Sequence, residues 1–403
     1  MKSKKQQKPL SKNKLLGIAG LAWMFDAMDV GILSFIIAAL AVEWNLTPGE
    51  MGWIGSINSI GMAVGALVFG VFADKVGRKK IFMLTLLLFS VASGLSALAT
   101  GLAIFMFFRF LVGMGLGGEL PVASTLVSES VEAKERGRVV VLLESFWAAG
   151  WIVSALIAYF IIPNYGWRIA LLITALPAFY AIYLRIKLPD SPQYTAHKTE
   201  SRSIMQNMKE VWSKKYAKRT LMLWIVWFMV VFSYYGMFLW LPSVMVMKGF
   251  TLIKSFEYVL IMTLAQLPGY FSAAWLIEKA GRKFVLVTYL LGTAASAFVF
   301  GSAETTTLLI VSGMLLSFFN LGAWGALYAY SPEQYPTVIR ATGSGMAASA
   351  GRIGGILGPL LVGTLVTAGY EIGYIFGIFC IAIVVGVLSV LFLGTETKQT
   401  ELE

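Results

Sequence analysis

Gly70-Val71-Phe72-Ala73-Asp74-Lys75-Val76-Gly77-Arg78-Lys79-Lys80 returns far along the chain in a second version, Ala274-Trp275-Leu276-Ile277-Glu278-Lys279-Ala280-Gly281-Arg282-Lys283. Asp74 stands against Glu278, Gly77 against Gly281, Arg78 against Arg282 and Lys79 against Lys283, each pair 204 positions apart. The same offset relates Glu129 to Glu333 and Arg136 to Arg340. Matches at one spacing, in the same two loops of each half, mark a parallel duplication. That layout places a site between the halves.

The material between the loops says what was duplicated. Of 403 residues, 58% are hydrophobic and 13% charged, and the mean hydropathy is +0.77. Soluble domains are about half apolar and about a quarter charged. A water-soluble fold could not hide this much apolar surface, so the bilayer is the solvent. Twelve apolar runs, near 15–42, 51–73, 81–99, 102–127, 139–162, 169–188, 220–247, 256–277, 284–302, 306–331, 342–367 and 370–393, are long enough to cross about 30 Å of hydrocarbon. The prediction is an all-α membrane protein of twelve transmembrane helices. Two six-helix bundles, 1–188 and 219–403, are joined by a cytoplasmic linker at 189–218. The 40 glycines suit helices that pack closely in lipid.

The net charge of +11 sits mostly in short loops. Lysines precede the first run, and the even-numbered loops hold Lys75/Arg78/Lys79/Lys80, Lys134/Arg136/Arg138, the basic stretch from Lys187 to Arg219, and Lys279/Arg282/Lys283. The odd-numbered loops hold Arg168, Lys248 and Lys254, all near helix ends. Positive charge marks the cytoplasmic side, so both termini are expected there, in a bacterial inner membrane. Nothing resembles a soluble basic domain for nucleic acid. The Lys-rich start leads into a run longer than a signal core and without a cleavage pattern. Ile204, Met208, Val211 and Trp212 recur at helical spacing in the linker, as in an amphipathic helix on the membrane surface or a solvated connector. Cys380 lies in an apolar run and reads as a buried thiol.

Enzyme chemistry finds little footing. Gly113-Met114-Gly115-Leu116-Gly117-Gly118 matches a dinucleotide pattern literally, but it lies inside an apolar run with no strand before it. Close packing of the fourth helix on the fifth is the expected reason for those glycines. No P-loop occurs, so ATP is not the energy source. The single histidine, His197, falls in the linker, and no metal or cofactor site is expected.

Polar groups inside a membrane are expensive and usually functional. Here they are Asp26 and Asp29 on the first run, Arg109 and Glu119 on the fourth, Glu144 on the fifth and Arg352 on the eleventh. Asp26 and Asp29 share one helical face. At about 1.5 Å per residue, Asp29 and Arg109 reach similar depth on antiparallel helices. An aspartate beside a guanidinium stays ionised and takes up a proton when the cation withdraws. That is a proton-coupling device, unless the pair is a static one. Arg352, about 15 Å from the cytoplasmic end, can grip a carboxylate with both prongs; Glu119 or Asp26 could instead neutralise it. Trp23, Trp147, Tyr234, Tyr235 and Trp324 are candidate walls, with Asn58, Gln266 and Asn320 as hydrogen-bonding groups. At the loops, Glu129/Arg136 and Glu333/Arg340 can pair with the Asp74/Arg78 and Glu278/Arg282 segments and open or close a cytoplasmic gate.

The loop Gly70 to Lys80 resembles the signature of the major facilitator superfamily; the second copy departs from it at Ala274 and Glu278. Glu135-Arg136-Gly137-Arg138, Gly166-Trp167-Arg168, Pro189-Asp190-Ser191-Pro192 and Glu333 to Arg340 resemble its sugar-porter-like and organic-ion branches. Arg109 with Gly113, Gly115 and Gly117 is similar to the arginine helix of sugar:proton symporters. Asp26-Ala27-Met28-Asp29-Val30-Gly31 resembles aromatic-acid:proton symporters, and Gly117-Gly118-Glu119-Leu120-Pro121 the organic-ion and synaptic-vesicle relatives. Gly351-Arg352-Ile353-Gly354-Gly355 resembles the organic-ion helix that carries Arg in anion carriers. The fifth run lacks the Gly-Pro signature of drug antiporters, and Phe232-Ser233-Tyr234-Tyr235-Gly236 lacks the Gln-rich pattern of sugar porters.

Over the whole chain the resemblance is to the bacterial niacin permease group. It implies a monomeric importer of a small organic anion, nicotinate or nicotinamide, driven by protons through alternating access. A benzoate-type acid symporter and a sugar symporter are the alternatives.

Overall fold

The computed structural model describes the backbone of residues 12–76, 78–129, 136–177, 179–180 and 204–398. Among these residues the regular elements are helices, with no strand. The first repeat supplies α1 (Lys12–Glu43), α2 (Pro48–Val76), α3 (Arg78–Ser96), α4 (Leu102–Glu129) and α5 (Arg136–Ile173). α6 (Ile204–Val211) leads to α7 (Ala217–Phe238), α8 (Leu241–Met247), α9 (Leu252–Leu264) and α10 (Gln266–Ala280). α11 (Arg282–Ser302), α12 (Thr306–Glu333), α13 (Thr337–Thr367) and α14 (Ile372–Leu393) complete the chain. Among the described residues, nine stretches are long and apolar enough to cross a membrane, and Met83–Ser96 and Leu102–Gly117 are shorter apolar ones. Residue 178 and the end of the sixth run from 181 onward lie outside the described residues.

Two expected helices are each two. The run at 220–247 breaks between α7 and α8, and the run at 256–277 breaks at Ala265 between α9 and α10. Proline has no N–H for the carbonyl four residues earlier. α7 ends at Phe238, four residues before Pro242, and α9 ends at Leu264, four before Pro268. Within α5, Gly166 takes φ 82° and ψ 165°, so the fifth run ends and the sixth begins there. That positive φ suits glycine, which has no Cβ to clash.

The glycines of α4 correct a second expectation. A Cβ on Gly113 or Gly117 would strike the main-chain oxygens of Asn58 and Met62 on α2, and one on Gly115 would meet Thr85 and Phe89 on α3. They let α4 approach α2 and α3, where packing on the fifth helix was expected. The reason is local: the residues spaced four apart line one stripe, and that stripe faces α2.

Within the spans Asp26, Asp29, Arg109 and Glu144 are enclosed, while many large apolar side chains cover the outside. Leu67, Phe107, Phe160, Phe298 and Phe392 are all exposed, which suits contact with lipid chains rather than water. α1 is the most enclosed span: 83% of its most apolar stretch is buried, against 50% for α14. It packs along α5, and α2 packs along α4; in the second repeat α7 packs on α13 and α14, and α11 on α12 and α14. Across the repeats α2 meets α13, and α5 meets α9, α10 and α12. Ser56 Oγ donates to the Ile356 carbonyl at 2.6 Å across the α2–α13 seam. These seams enclose the centre of the molecule.

The linker helix is shorter than its pattern suggested. Val211 is buried, with its carbonyl bonded by Thr220 Oγ1 at 2.7 Å, whereas Met208 and Trp212 are exposed. Trp212 meets Trp224 edge to face at 5.2 Å. The Cys380 thiol is half-buried and donates to the Ala294 carbonyl at 3.2 Å.

Candidate functional site

Antiparallel α1 and α4 bring Asp29 and Arg109 to one depth. Both are fully buried, and the guanidinium grips the carboxylate with two prongs: Nη1 to Oδ2 and Nη2 to Oδ1, each 3.3 Å. Ser93 on α3 donates to Asp29 Oδ1 and accepts from Arg109 Nη2 at 2.9 Å. The Thr174 hydroxyl touches Ser93 in turn. Four residues from distant segments thus share one polar island inside an apolar bundle. A buried pair of this kind is strained by the loss of either partner, because removing one leaves an uncompensated charge. Asp26, one turn earlier on α1, is also buried.

A second polar group of residues lies where α1, α5, α7, α10 and α12 converge. Trp147 Nε1 donates to the Tyr234 hydroxyl at 2.8 Å. The Trp147 and Trp324 rings stack with centroids 6.3 Å apart, Tyr234 lies 4.7 Å from Trp324, and Tyr234 lies 5.2 Å from Tyr235. Trp23 stands 5.9 Å from Trp147 and 6.0 Å from Tyr328. α10 contributes Gln266 and, one turn on, Tyr270; α12 contributes Asn320, Trp324 and Tyr328 at the same spacing. All are buried save Tyr328, which is partly so. Among the described residues, the side-chain amides of Gln266 and Asn320, the Tyr270 hydroxyl and the Trp324 indole N–H have no partner. Unmatched buried donors and acceptors cost free energy, and flat aromatic walls with such groups suit a small planar polar molecule.

Arg352 sits on α13 beside that cluster, next to Tyr235. It is partly exposed, and its Nη1 lies 3.6 Å from the Met62 sulfur of α2. Tyr235 of α7 interacts with the Arg352 guanidinium and lies within Coulombic reach of Asp26. Gly355, one turn on, lies against Tyr235 and Ser59. Asn58 is buried on α2. Glu119 lies on α4, with its side chain outside the described residues.

A model of the Major Facilitator Superfamily matches residues 19–275 and 258–403. The chain belongs to the major facilitator superfamily. It is 68% identical to the Bacillus subtilis protein named "Putative niacin/nicotinamide transporter NiaP", over 99% of this chain and 100% of that one. It is 48% identical to the niacin transporter NiaP of Acinetobacter baylyi, over 96% of this chain and 95% of that one. The solved structure of the proton:xylose symporter XylE bound to 6-bromo-6-deoxy-D-glucose superposes with a TM-score of 0.78 at 18% identity, over 97% of each chain. That likeness carries the fold alone. The protein is a multi-pass plasma-membrane transporter of this superfamily.

The charged loop of the second major facilitator repeat is a built network. Arg282 donates from Nη1 to Glu278 at 2.8 Å and from Nε to Glu333 at 3.1 Å. Glu278 Oε1 also accepts the main-chain N–H of Arg138 at 3.1 Å, so α10 is tied to the start of α5 in the other repeat. The chain's tail joins in: Glu396 accepts from the N–H groups of Arg282 and Lys283, and Thr397 donates to Glu333 at 2.7 Å. Arg340 also holds its own turn. Its Nε donates to the carbonyls of Pro332 and Tyr335 at 3.1 and 3.3 Å, because the chain turns back at Pro336 and brings those carbonyls within reach. In the first repeat Asp74, Arg78, Glu129 and Arg136 lie at helix ends, with side chains outside the described residues.

Glu278→Ala breaks the tie between the repeats without touching the chamber. Turnover is expected to change by up to about tenfold, the worth of one or two hydrogen bonds. Equilibrium binding measured in detergent should move by less than about threefold. A loss of binding larger than the loss of turnover would place Glu278 in the site.

Several members of these two clusters escaped the sequence. Ser93 and Thr174 complete the Asp29–Arg109 island, and nothing local marks two hydroxyls from distant spans. Tyr328 was findable, since it continues the Asn320 and Trp324 stripe by one turn.

Proposed function

We propose that this transporter imports nicotinate, with nicotinamide as a second form of the same ring, by proton symport and alternating access. The observation that carries the reading is the 68% identity, end to end, to a relative named for niacin and nicotinamide. The cluster supports it: aromatic walls from Trp147, Tyr234, Tyr235 and Trp324, unmatched amides on Gln266 and Asn320, and a guanidinium, Arg352, beside Tyr235. Glu119 on α4 belongs to the proposed site by its sequence position.

In this reading twelve spans form two bundles, 1–188 and 219–403, with residues 189–218 and both termini on the cytoplasmic side. The basic loops all fall on that side, as positive-inside topology requires. Asp29 exchanges the proton with Arg109 as its switch, and Asp26 on the same face is its reserve. Glu278, Arg282, Glu333 and Arg340, with their counterparts Asp74, Arg78, Glu129 and Arg136, hold the cytoplasmic gate. A monomer suffices, because one chain carries both halves. One proton moving with one anion is electrically silent, whereas each net charge would feel about 2.3 kcal/mol per 100 mV.

The test is competition in proteoliposomes loaded for counterflow with labelled nicotinate. Unlabelled nicotinate and nicotinamide should compete, and benzoate and glucose far less. Displacement by glucose alone, or none by nicotinate, would refute the assignment.

A further inference from the structure

Glu144 on α5 is a buried carboxyl that the reading above does not use. Its Oε2 accepts the Trp23 indole N–H at 3.1 Å, and its Oε1 has no partner among the described residues. The Trp324 indole is near the same carboxyl but outside hydrogen-bond geometry. One turn along α5 is Trp147, which stacks on Trp324. Tyr328, on the facing side of Trp23, lies within Coulombic reach of both the Glu144 carboxyl and the Arg352 guanidinium. An acid from the first repeat and a guanidinium from the second therefore address one aromatic chamber.

We propose that Glu144 is the specificity-determining residue that reads the ring nitrogen of the substrate, with one proton held between its Oε1 and a pyridine nitrogen. This deepens the proposed function and rests on it. A carboxylate and a pyridine nitrogen are both acceptors, so the contact needs one proton. That proton arrives as the carboxylic O–H or as the pyridinium N–H, and no bond between heavy atoms changes. A benzene ring offers C–H at that position and leaves Oε1 unmatched. Nicotinate and nicotinamide share the ring nitrogen, so Glu144 reads the ring while Arg352 reads the carboxylate.

The groups facing this carboxyl are few. Tyr270 of α10 and Tyr328 of α12 lie within Coulombic reach of it, and Asp26 of α1, Tyr234 and Tyr235 of α7 and Arg352 of α13 stand further round the cluster. Free tyrosine ionises near pH 10, so between about pH 5 and 8 the shared proton is the one in play.

The experiment titrates full-length purified protein with nicotinate, nicotinamide, benzoate and benzamide across that range. Wild type should prefer each pyridine over its benzene counterpart by about tenfold or more. Glu144→Ala should bring both ratios to within about threefold. In Glu144→Gln the amide N–H donates with no proton to recruit, so the preference should persist and lose its pH dependence. Ratios unchanged in Glu144→Ala, or all four ligands weakened alike, would overturn the proposal and leave Glu144 as a prop for Trp23. If the alanine variant does not fold, the glutamine variant decides: a pH-dependent preference equal to wild type overturns it. Wild-type protein that binds nicotinate and benzoate equally defeats this inference alone. Wild-type protein that binds no pyridine defeats the substrate reading with it.

Discussion

Asp29→Asn is expected to abolish uphill accumulation of substrate while leaving counterflow exchange measurable. Wild-type protein coupling one proton per anion should reach about tenfold accumulation per pH unit imposed across the liposome, since a tenfold ratio is worth about 1.4 kcal/mol. The asparagine keeps the shape and still accepts from Arg109 and Ser93, which hold the native carboxylate from two sides. It cannot take up a proton, so a gradient has nothing to act on at this position. Exchange needs only that the loaded carrier reorient. The variant leaves Arg109 in a fully buried site without its counter-charge, so some loss of stability will accompany it; exchange activity shows that the protein is still folded. Accumulation equal to wild type would move the coupling role to Asp26, one turn away on the same face of α1.

The parts of this architecture that repeat, or that follow from counting along a helix, were legible in the chain. The pairing of Asp29 with Arg109 came from depth, at about 1.5 Å per residue on two antiparallel helices, together with the resemblance of Arg109 and its glycines to the arginine helix of sugar:proton symporters. The loop acids Glu278 and Glu333 were marked by their copies at Asp74 and Glu129, and the structure pairs both with Arg282. What failed was partner choice between helices. Gly113 and Gly117 announced close packing, but only the folded chain shows that the neighbour is α2. The breaks before Pro242 and Pro268 were hidden because apolar runs continue across them. Glu144 stood out as a carboxyl in a span, yet its partner Trp23 is 121 positions away, and no periodicity links them. Glu396 and Thr397 belong to a tail with no copy in the first repeat, so the duplication could not point to them.

Arg352→Lys carries the second large effect. A guanidinium presents two parallel donors to a carboxylate; an ammonium presents one compact charge on a different stem. Charge-assisted hydrogen bonds are worth about 1.5–3 kcal/mol, so loss of the two-pronged contact should weaken nicotinate by about thirtyfold. Nicotinamide, which has no carboxylate, should lose less than about threefold. A structural arginine would behave differently. Its replacement would impair folding, or weaken both ligands together, because nothing in such a role distinguishes an acid from its amide. Met62 Sδ, the contact that the structure gives Arg352 Nη1, is too weak an acceptor to compensate the charge.

Equilibrium titration of nicotinate and nicotinamide into wild-type, Arg352→Lys and Arg352→Ala protein tests the anion site most directly. The expected result is a steep loss of nicotinate affinity in both variants, with nicotinamide nearly unchanged. Nicotinate binding at wild-type affinity in folded, monodisperse Arg352→Ala protein would contradict it.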